Sequence, residues 1–246
     1  MTNAVPNYHL LDTGQQFALY VPNQSSNDEY SLFRSVEAPK ATCAITETAL
    51  QEFRRRYGRE IVKEDIFYYV YGILHSAEYK ERFADDLKKM LPRIPYAADF
   101  WAFSKAGREL AKLHLNYETS KKYPLKERRE PQGKLSDLDY YRVEQMKFAK
   151  SGKEADRSTI LFNSRIVLSG IPEETYEYIV NGKSALDWIM ERYAVTTEKA
   201  SGIVNDPNDW AAEHDNPTYI LDMVKRIVHV SVETARIVKS LPELGV

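Results

Sequence analysis

Apolar residues recur at helical spacing between residues 46 and 117, and this pattern predicts four helices joined by short links. The first helix is expected to begin at Thr46 or Glu47 and to end at Gly58. A second begins near Lys63, and Ser76 is a suitable N-cap for a third. The third helix is expected to bury one stripe, formed by Tyr79, Phe83, Leu87 and Met90.

Two prolines separate the third predicted helix from the fourth. Pro92 and Pro95 bracket a turn that cannot be helical, because proline lacks an amide donor and restricts the residue before it. The fourth helix, roughly Asp99 to Leu115, repeats the apolar spacing. Four helices with short links predict a compact helical subdomain.

Short apolar and aromatic runs with turn residues between them predict strands elsewhere. Two such runs, Phe17–Val21 and Tyr30–Phe33, lie near the N-terminus. Thr159–Leu168 is rich in β-branched residues and contains an Asn-Ser turn, and Tyr176–Val180 alternates between polar and apolar. Tyr140–Phe148 fits a strand and a helix equally well.

The rest of the chain combines a loop, a turn and two more helices. Glu118–Gln132 is rich in Lys, Arg and Pro, which predicts a loop. Asn181-Gly182 is a turn signal, and Ser184 can cap the helix that follows. A last helix is expected over Pro217–Leu241.

These elements predict an α+β fold, in which a helical subdomain of about four helices packs with a small, mostly antiparallel β-region and a long C-terminal helix. We expect a single domain over residues 1–246. Its parts would be short strands at 1–45, the helical subdomain at 46–117, a basic loop at 118–135, and a β-rich part with C-terminal helices at 136–246.

Charge is distributed unevenly along the chain. The formal net charge is only −2, yet Tyr117–Arg157 carries +3 and Ile171–Val246 carries −6. A basic middle part suits a nucleic-acid contact, and an ordinary solvated loop explains it equally well. The single cysteine, Cys43, and the lack of a long apolar stretch favour a cytoplasmic protein.

The sequence lacks the motifs of several kinds of catalytic chemistry. Gly182-Lys183-Ser184 matches the end of a phosphate-binding loop, but that motif needs a glycine where the chain has Glu177. A turn followed by a helix cap explains these residues better. The five histidines have no metal-ligand spacing. We therefore expect no catalytic residue, no metal, no cofactor, no small-molecule substrate and no membrane contact.

Two groups of short motifs occur in order along the chain. The first group lies in the helical stretch and comprises Glu64–Tyr79, Leu91–Pro95, Asp99–Trp101 and Leu115–Tyr117. The second group comprises Ile171-Pro172, Tyr178, Asn181–Ala185, Trp188, Arg192-Tyr193, Gly202–Trp210 and Val230–Thr234. Together they resemble the C-terminal specificity, or target-recognition, region of type ISP restriction-modification enzymes.

The resemblance implies a non-catalytic part that reads duplex DNA. The parent polypeptide would be a restriction endonuclease, helicase and adenine DNA methyltransferase. The implied partners are therefore double-stranded DNA and the methyltransferase and motor domains. The Pro-Pro pair of the adenine methyltransferase signature is absent from this chain, so that chemistry would lie elsewhere in the parent.

Residue chemistry indicates which side chains would contact DNA. Lys and Arg neutralise phosphates, and Arg, Lys, Asn and Gln read base edges. The candidates are Arg54, Arg55, Arg59, Lys121, Lys122, Lys126, Arg128, Arg129, Asn181, Lys183, Asn205 and Asn208. In the turn from Asn205 to Asn208, side chains that cap their own backbone are the stronger interpretation.

A second interpretation stays open at this point. The chain could be a protein-interaction scaffold between neighbouring domains of the same large enzyme, with DNA read elsewhere. Charge reversal at Lys126, Arg128 and Arg129 would then leave DNA binding by the parent enzyme unchanged.

Overall fold

The computed structural model describes residues 17–22, 41–89 and 92–246. The chain divides into two compact units. Unit 1 takes the chain up to Lys112 together with Ser240–Val246, and unit 2 is Leu113–Lys239. Helices combined with small antiparallel sheets confirm the predicted α+β class.

Unit 1 contains a two-stranded antiparallel sheet near its start. Strand β1 (Tyr20–Pro22) pairs with strand β2 (Ala41–Cys43), and Tyr20 lies opposite Cys43. The predicted strand at Tyr30–Phe33 falls outside the described residues. The partner of β1 is thus a segment that the apolar pattern did not mark.

Helix α1 (Glu47–Tyr57) begins and ends where its capping residues predict. The hydroxyl of Thr46 accepts a hydrogen bond of 3.1 Å from the amide of Ala49, which satisfies an amide that the first turn leaves unpaired. Gly58 ends the helix with a φ of 126°, a conformation that favours glycine. The first predicted helix is confirmed at both ends.

Helix α2 (Lys63–His75) and helix α3 (Ala77–Arg82) are separated by Ser76 alone. The Oγ of Ser76 accepts a hydrogen bond of 3.3 Å from the amide of Tyr79, as an N-cap does. The second helix and the start of the third are therefore confirmed.

The predicted third helix is divided in two. Phe83 leaves helical geometry, with φ of −108° and ψ of 23°, and helix α4 (Ala84–Lys88) follows it. Asp85 and Asp86 lie in the first turn of α4, where negative charge favours a helix start. Met90 of the predicted stripe lies outside the described residues.

An extended segment follows, and two buried tyrosines hold it. The hydroxyl of Tyr69 donates a 2.6 Å hydrogen bond to the carbonyl of Pro95 and accepts one of 2.8 Å from the amide of Ala97. The hydroxyl of Tyr79 donates to the carbonyl of Arg93 at 3.0 Å. Because the prolines exclude a helix here, the backbone groups take partners from neighbouring side chains.

Helix α5 (Phe100–Leu115) crosses α2 at a pair of glycines. A Cβ atom on Gly107 would lie 1.8 Å from the carbonyl oxygen of Tyr68. A Cβ atom on Gly72 would lie 2.2 Å from the carbonyl oxygen of Phe103. Both distances are far below van der Waals contact, so only glycine permits this crossing of the two backbones.

The last residues of the chain belong to unit 1. Leu244 is fully buried in the same core as Phe53 and Tyr69. Its amide donates to the carboxylate of Glu78 at 2.7 Å, and its carbonyl accepts from the amide of Ala98 at 2.8 Å. The core of unit 1 therefore combines residues between Leu50 and Phe103 with the distant Leu244.

Unit 2 contains most of the strands. After a 3-10 helix at Tyr117–Thr119, its elements in chain order are β3 (Lys126–Arg129), α6 (Asp137–Tyr141), β4 (Lys147–Ser151), β5 (Glu154–Leu161) and β6 (Ile166–Ser169). A second 3-10 helix at Glu173–Tyr176 precedes β7 (Ile179–Val180), β8 (Lys183–Ser184), α7 (Ala185–Arg192), β9 (Thr196–Thr197), β10 (Val204–Asn205), α8 (Asn208–Glu213) and α9 (Tyr219–Lys239).

The largest sheet of unit 2 has four antiparallel strands in the order β3, β6, β5, β4. One face of this sheet is buried. Its side chains Ile160, Ile166 and Leu168 share a core with Val224 and Val228 of α9. The two smaller sheets are hairpins, in which β7 pairs with β8 and β9 with β10.

The structure of unit 2 differs from several of the predictions. Glu118–Gln132, expected to be a loop, contains strand β3. Tyr140–Phe148 divides between the end of α6 and the start of β4. Tyr176–Val180, predicted to be a strand, has only the two strand residues of β7, because a 3-10 helix ends at Tyr176.

Other predictions for unit 2 are confirmed. Thr159–Leu168 covers the end of β5, a turn and most of β6. Asn163 makes that turn, since its side-chain oxygen accepts from the amides of Arg165 and Ile166, both at 2.9 Å. The long C-terminal helix is α9. Among the described residues, no helix combines the length and apolar character that crossing a membrane requires.

Candidate nucleic-acid interface

The second face of the four-stranded sheet carries cations on both of its edge strands. The register aligns two rows across the strands, one of Arg128, Val167, Leu161 and Lys147, the other of Lys126, Ser169 and Thr159. Directly opposed residues of an antiparallel sheet project from the same face, and in the central strands β5 and β6 the alternate positions Ile160, Ile166 and Leu168 enter the core. We call these seven residues the outer sheet face.

The charge of the outer sheet face is positive. Lys126 and Lys147 are exposed and have no ion-pair partner within the described ranges. Arg128 pairs with Glu130 at 3.2 Å, but the two side chains are 72% and 52% exposed. A pair this exposed contributes only about 0–1 kcal/mol, so it can open when a stronger anion approaches. The face can therefore neutralise phosphate groups.

Arg129, also predicted to contact DNA, projects from the opposite side of β3. Its Nε donates to Glu127 at 2.8 Å, and one terminal nitrogen donates to the hydroxyl of Tyr141 at 2.9 Å. Glu127 also accepts a hydrogen bond from Lys225 of α9. This network ties the edge strand to the helix beneath it, which leaves Arg129 with a structural contact.

The Glu127 network makes a pH-dependent contribution to stability. Burial raises the pKa of Glu127, but the hydrogen bonds and charges of Lys225 and Arg129 outweigh it, and the net pKa is lowered from 4.5. A carboxylate whose pKa is lowered by folding stabilises the folded state at pH values above the pKa that the carboxylate has in the unfolded chain. That contribution is lost as the pH falls through the lowered pKa.

We expect Glu127→Gln to reduce the free energy of unfolding by about 2 kcal/mol at neutral pH, because it leaves Lys225 without its carboxylate. The difference from the unchanged protein should shrink as the pH falls below 4.5. Urea unfolding at a series of pH values measures this difference. Glu154→Gln, at an exposed position of the same sheet, should change neither the stability nor its pH dependence. A Glu127→Gln deficit that persists unchanged in acid contradicts the assignment.

Lys121 and Lys122, which precede the sheet, differ in their contacts. The ammonium of Lys122 pairs with Asp222 of α9 at 2.6 Å, and the Asp222 side chain is only 14% exposed. Lys121 is exposed, and its ammonium has no partner in the described part of the chain. Of this pair, Lys121 is the one available to an external anion.

The arginines predicted in unit 1 also divide by their contacts. The Nε of Arg54 donates to the carbonyl of Ile61 at 2.8 Å, which closes the turn after α1. Arg55 and Arg59 are exposed, and neither has a hydrogen-bond or ion-pair partner within residues 17–22, 41–89 and 92–246. Of the three predicted arginines, Arg55 and Arg59 are thus the ones available to an external anion.

The Asn181-Gly182 turn joins β7 to β8, as predicted. Both residues have positive φ, 49° and 80°, which is the geometry of a tight two-residue hairpin. Lys183 pairs with Glu191 and lies 4.8 Å from the ring centroid of Trp188. Ser184 caps α7, so the Gly-Lys-Ser sequence is a turn and a helix cap. Asn181 remains exposed at the hairpin tip.

Asn205 and Asn208 have different surroundings. Asn208 bridges to the backbone of Val143, accepting from its amide at 3.0 Å and donating to its carbonyl at 2.8 Å. Asp206 accepts from the amide of Asn208 at 2.9 Å and pairs with Arg142 at 2.5 Å. These contacts give Asn208 the structural role expected of the turn. Asn205 is an exposed residue of β10.

The sequence of this chain matches a known protein family. Residues 1–223 match the family described as the Type ISP C-terminal specificity domain. This match covers most of the chain. The chain belongs to the type ISP C-terminal specificity domain family.

Three solved structures that are similar to this type ISP specificity domain contain DNA or a DNA substrate mimic. A nuclease-deletion mutant of the type ISP restriction-modification enzyme LlaGI, in complex with a DNA substrate mimic, is 43% identical, with a TM-score of 0.64 over 74% of this chain. The ATP-dependent type ISP enzyme LlaBIII bound to DNA is 35% identical, with a TM-score of 0.74 over 92%. The matched protein in a DrdV–DNA complex is 31% identical in sequence to this chain, with a TM-score of 0.70 over 83% of this chain.

The specificity domain corresponds to a small part of each of these larger proteins. The matched region is 16% of the LlaGI chain, 13% of the LlaBIII chain and 20% of the DrdV chain. No curated protein sequence matches significantly. Within the described residues of this specificity domain, no group of three or more His, Cys, Asp or Glu side chains is arranged to hold a metal ion.

The structure adds residues to the candidate interface that sequence reasoning missed. Lys147, Thr159 and Ser169 lie on the outer sheet face beside the predicted Lys126 and Arg128. Lys147 lies in the segment that fitted a strand and a helix equally well, so its face could not be assigned. The strand register, which the sequence does not give, was the missing information.

Proposed function

We propose that this chain binds a specific double-stranded DNA sequence as the target-recognition domain of a type ISP-like restriction-modification enzyme. The observation that carries the proposal is the similarity to LlaGI and LlaBIII structures that contain DNA or a DNA mimic, at 43% and 35% identity. Proteins this similar over most of a domain share its fold and the general placement of its surfaces.

The outer sheet face supports the proposal by its dimensions. Arg128 and Lys147 lie on the two edge strands, three strand spacings apart, which is about 14 Å between their backbones. The major groove of B-DNA is about 12 Å wide. Cations at this separation can reach the phosphates of both walls of the groove while the residues between them face the base edges.

Of the twelve predicted contact residues, the exposed and unpaired ones are the best candidates. In unit 2 these are Lys121, Lys126, Asn181 and Asn205, joined by Arg128 with its weak pair. In unit 1 they are Arg55 and Arg59. Arg54, Lys122, Arg129, Lys183 and Asn208 already have contacts within the protein, so we assign them supporting roles.

The chain would perform no catalysis by itself in this function. Cleavage, translocation and adenine methylation would belong to other domains of a parent polypeptide, which acts in the cytoplasm. The methyltransferase and motor domains are then the expected protein partners, and the specificity domain places them on the DNA.

A selection experiment tests the proposed function. We expect the chain to enrich one sequence family from a pool of randomised DNA duplexes at low salt, and fluorescence anisotropy to give saturable binding to the enriched duplex. Affinity should fall steeply as salt increases, because each phosphate contact releases counterions. A pool that stays random after repeated selection contradicts the proposal.

Exposed apolar residues favour a protein-docking scaffold as the second candidate function. Ile203 and Val204, beside or within the β9–β10 hairpin, are 66% and 58% exposed. Such side chains are typical of protein contacts when they cluster. The same selection separates the two functions, because a scaffold enriches no DNA sequence and the proposed reader does.

A further inference from the structure

We propose that Leu161 and Val167 read the C5-methyl group of a pyrimidine in the major groove, an inference that rests on the proposed DNA-binding function. These two residues occupy the middle of the row that Arg128 and Lys147 flank. They are thus specificity-determining residues, whereas the cations on either side hold the DNA backbone.

The strand register places the two apolar side chains together. Val167 of β6 lies directly opposite Leu161 of β5, so the two project from the same face as cross-strand neighbours. Leu161 is 40% exposed and Val167 is half-buried. The pair presents a small apolar surface to solvent at the centre of an otherwise polar face.

The neighbours of this apolar pair complete a surface suited to duplex DNA. Arg128 lies beside Val167, and Lys147 lies beside Leu161. Ser169 and Thr159 form the adjacent row and supply hydroxyl groups that can bond base edges. Negative charge is absent from these seven residues, so a polyanion approaches without repulsion from the face itself.

Among the groups at the floor of the major groove, the C5-methyl of thymine is the apolar one, and apolar side chains recognise it by contact. The same group occurs on 5-methylcytosine. The shared chemistry is therefore a 5-methylpyrimidine, and substituted duplexes distinguish the two sources. Of these two 5-methylpyrimidines, an unmodified selection pool contains only thymine. The first expectation therefore concerns thymine.

The test uses the duplex enriched from the randomised pool and this chain. Each thymine is replaced in turn by deoxyuridine, which removes only the methyl group, and affinity is measured by fluorescence anisotropy. Burial of one methyl group corresponds to a change of about fourfold in affinity. We expect at least one replacement to weaken binding about fourfold in the unchanged protein and to have no effect in Leu161→Ala or Val167→Ala.

A matched variant and a second modification complete the experiment. Ile203→Ala removes an exposed apolar side chain from another part of unit 2 and should retain the full deoxyuridine effect. Replacing cytosines by 5-methylcytosine in the same duplex reports the second source of the methyl group. Circular dichroism spectra and unfolding curves confirm that each variant is folded.

The possible outcomes separate this inference from the proposed function. The selection can enrich a sequence whose affinity is unchanged by every deoxyuridine and every 5-methylcytosine replacement. That outcome overturns the inference and leaves the proposed function standing. A deoxyuridine effect that survives in both the Leu161 and Val167 variants also overturns it. If no sequence is enriched, the proposed function fails and the inference fails with it.

Discussion

Replacing Gly107 by alanine is expected to lower the free energy of unfolding of unit 1 by about 3 kcal/mol. The added Cβ atom would lie 1.8 Å from the carbonyl oxygen of Tyr68 and 2.8 Å from the amide nitrogen of Gly72. Both are backbone atoms within a helix, so neither can move aside without separating α2 from α5.

Helix propensity alone predicts the opposite sign for this substitution. Glycine inside a helix is less favourable than alanine by about 1 kcal/mol, so an uncrowded Gly→Ala change stabilises. Lys105→Ala is the control, since it changes an exposed residue of the same helix. We expect its stability to remain within about 0.5 kcal/mol of the unchanged protein.

Urea unfolding measures the size of this loss of stability. Hydrogen exchange followed by mass spectrometry shows which part of the chain is affected. Amides of α2 and α5 should exchange faster in the Gly107→Ala variant, while those of β5 and β6 should change less because they lie in unit 2. Equal or higher stability of Gly107→Ala would falsify the close helix crossing.

Removing Lys126 and Lys147 together is expected to weaken DNA binding roughly 50-fold at about 0.1 M salt. Each lysine is placed to contact one phosphate, and each lost contact makes the slope of log K against log salt less negative by about 0.9. The double alanine variant should therefore have a slope about 1.8 units shallower.

The slope distinguishes a lost phosphate contact from a general loss of charge. Lys105→Ala combined with Lys199→Ala removes the same charge from exposed positions outside the outer sheet face. That pair should leave the slope nearly unchanged. If the two double variants have the same slope and affinity, the outer sheet face is not the DNA-binding surface.

Local chemistry was sufficient to predict where α1, α2 and α3 begin in unit 1. Thr46 and Ser76 cap helices because their hydroxyls lie within reach of unpaired amides, and Gly58 ends α1 because its backbone conformation favours glycine. These signals depend on residues only a few positions apart. The break at Phe83 was missed because the apolar spacing continues through it.

The sheet of unit 2 was less predictable because its stability depends on distant partners. Strand β3 has the sequence Lys-Glu-Arg-Arg, which contains no apolar residue. It forms a strand because β6 pairs with it and because Glu127 is held by Lys225, 98 positions away. No pattern within the four residues reveals either partner.

The residues of the candidate interface were also hard to predict from local sequence alone. Residue chemistry selected Lys126, Arg128 and Arg129 alike as candidate DNA contacts, but Arg129 lies on the opposite side of the strand and pairs with Glu127. Separating these neighbours requires the face of each residue, and Lys147 becomes their companion only through the register of β4, β5 and β6.

The burial of Leu244 in unit 1 has a consequence for the order of folding during synthesis. Contacts such as that between Leu244 and Glu78 join residues more than 160 positions apart. All of unit 2 leaves the ribosome before the last residues of unit 1 do. The unit that begins first along the chain is therefore completed last, and until Leu244 is synthesised it has an unfilled place in its core.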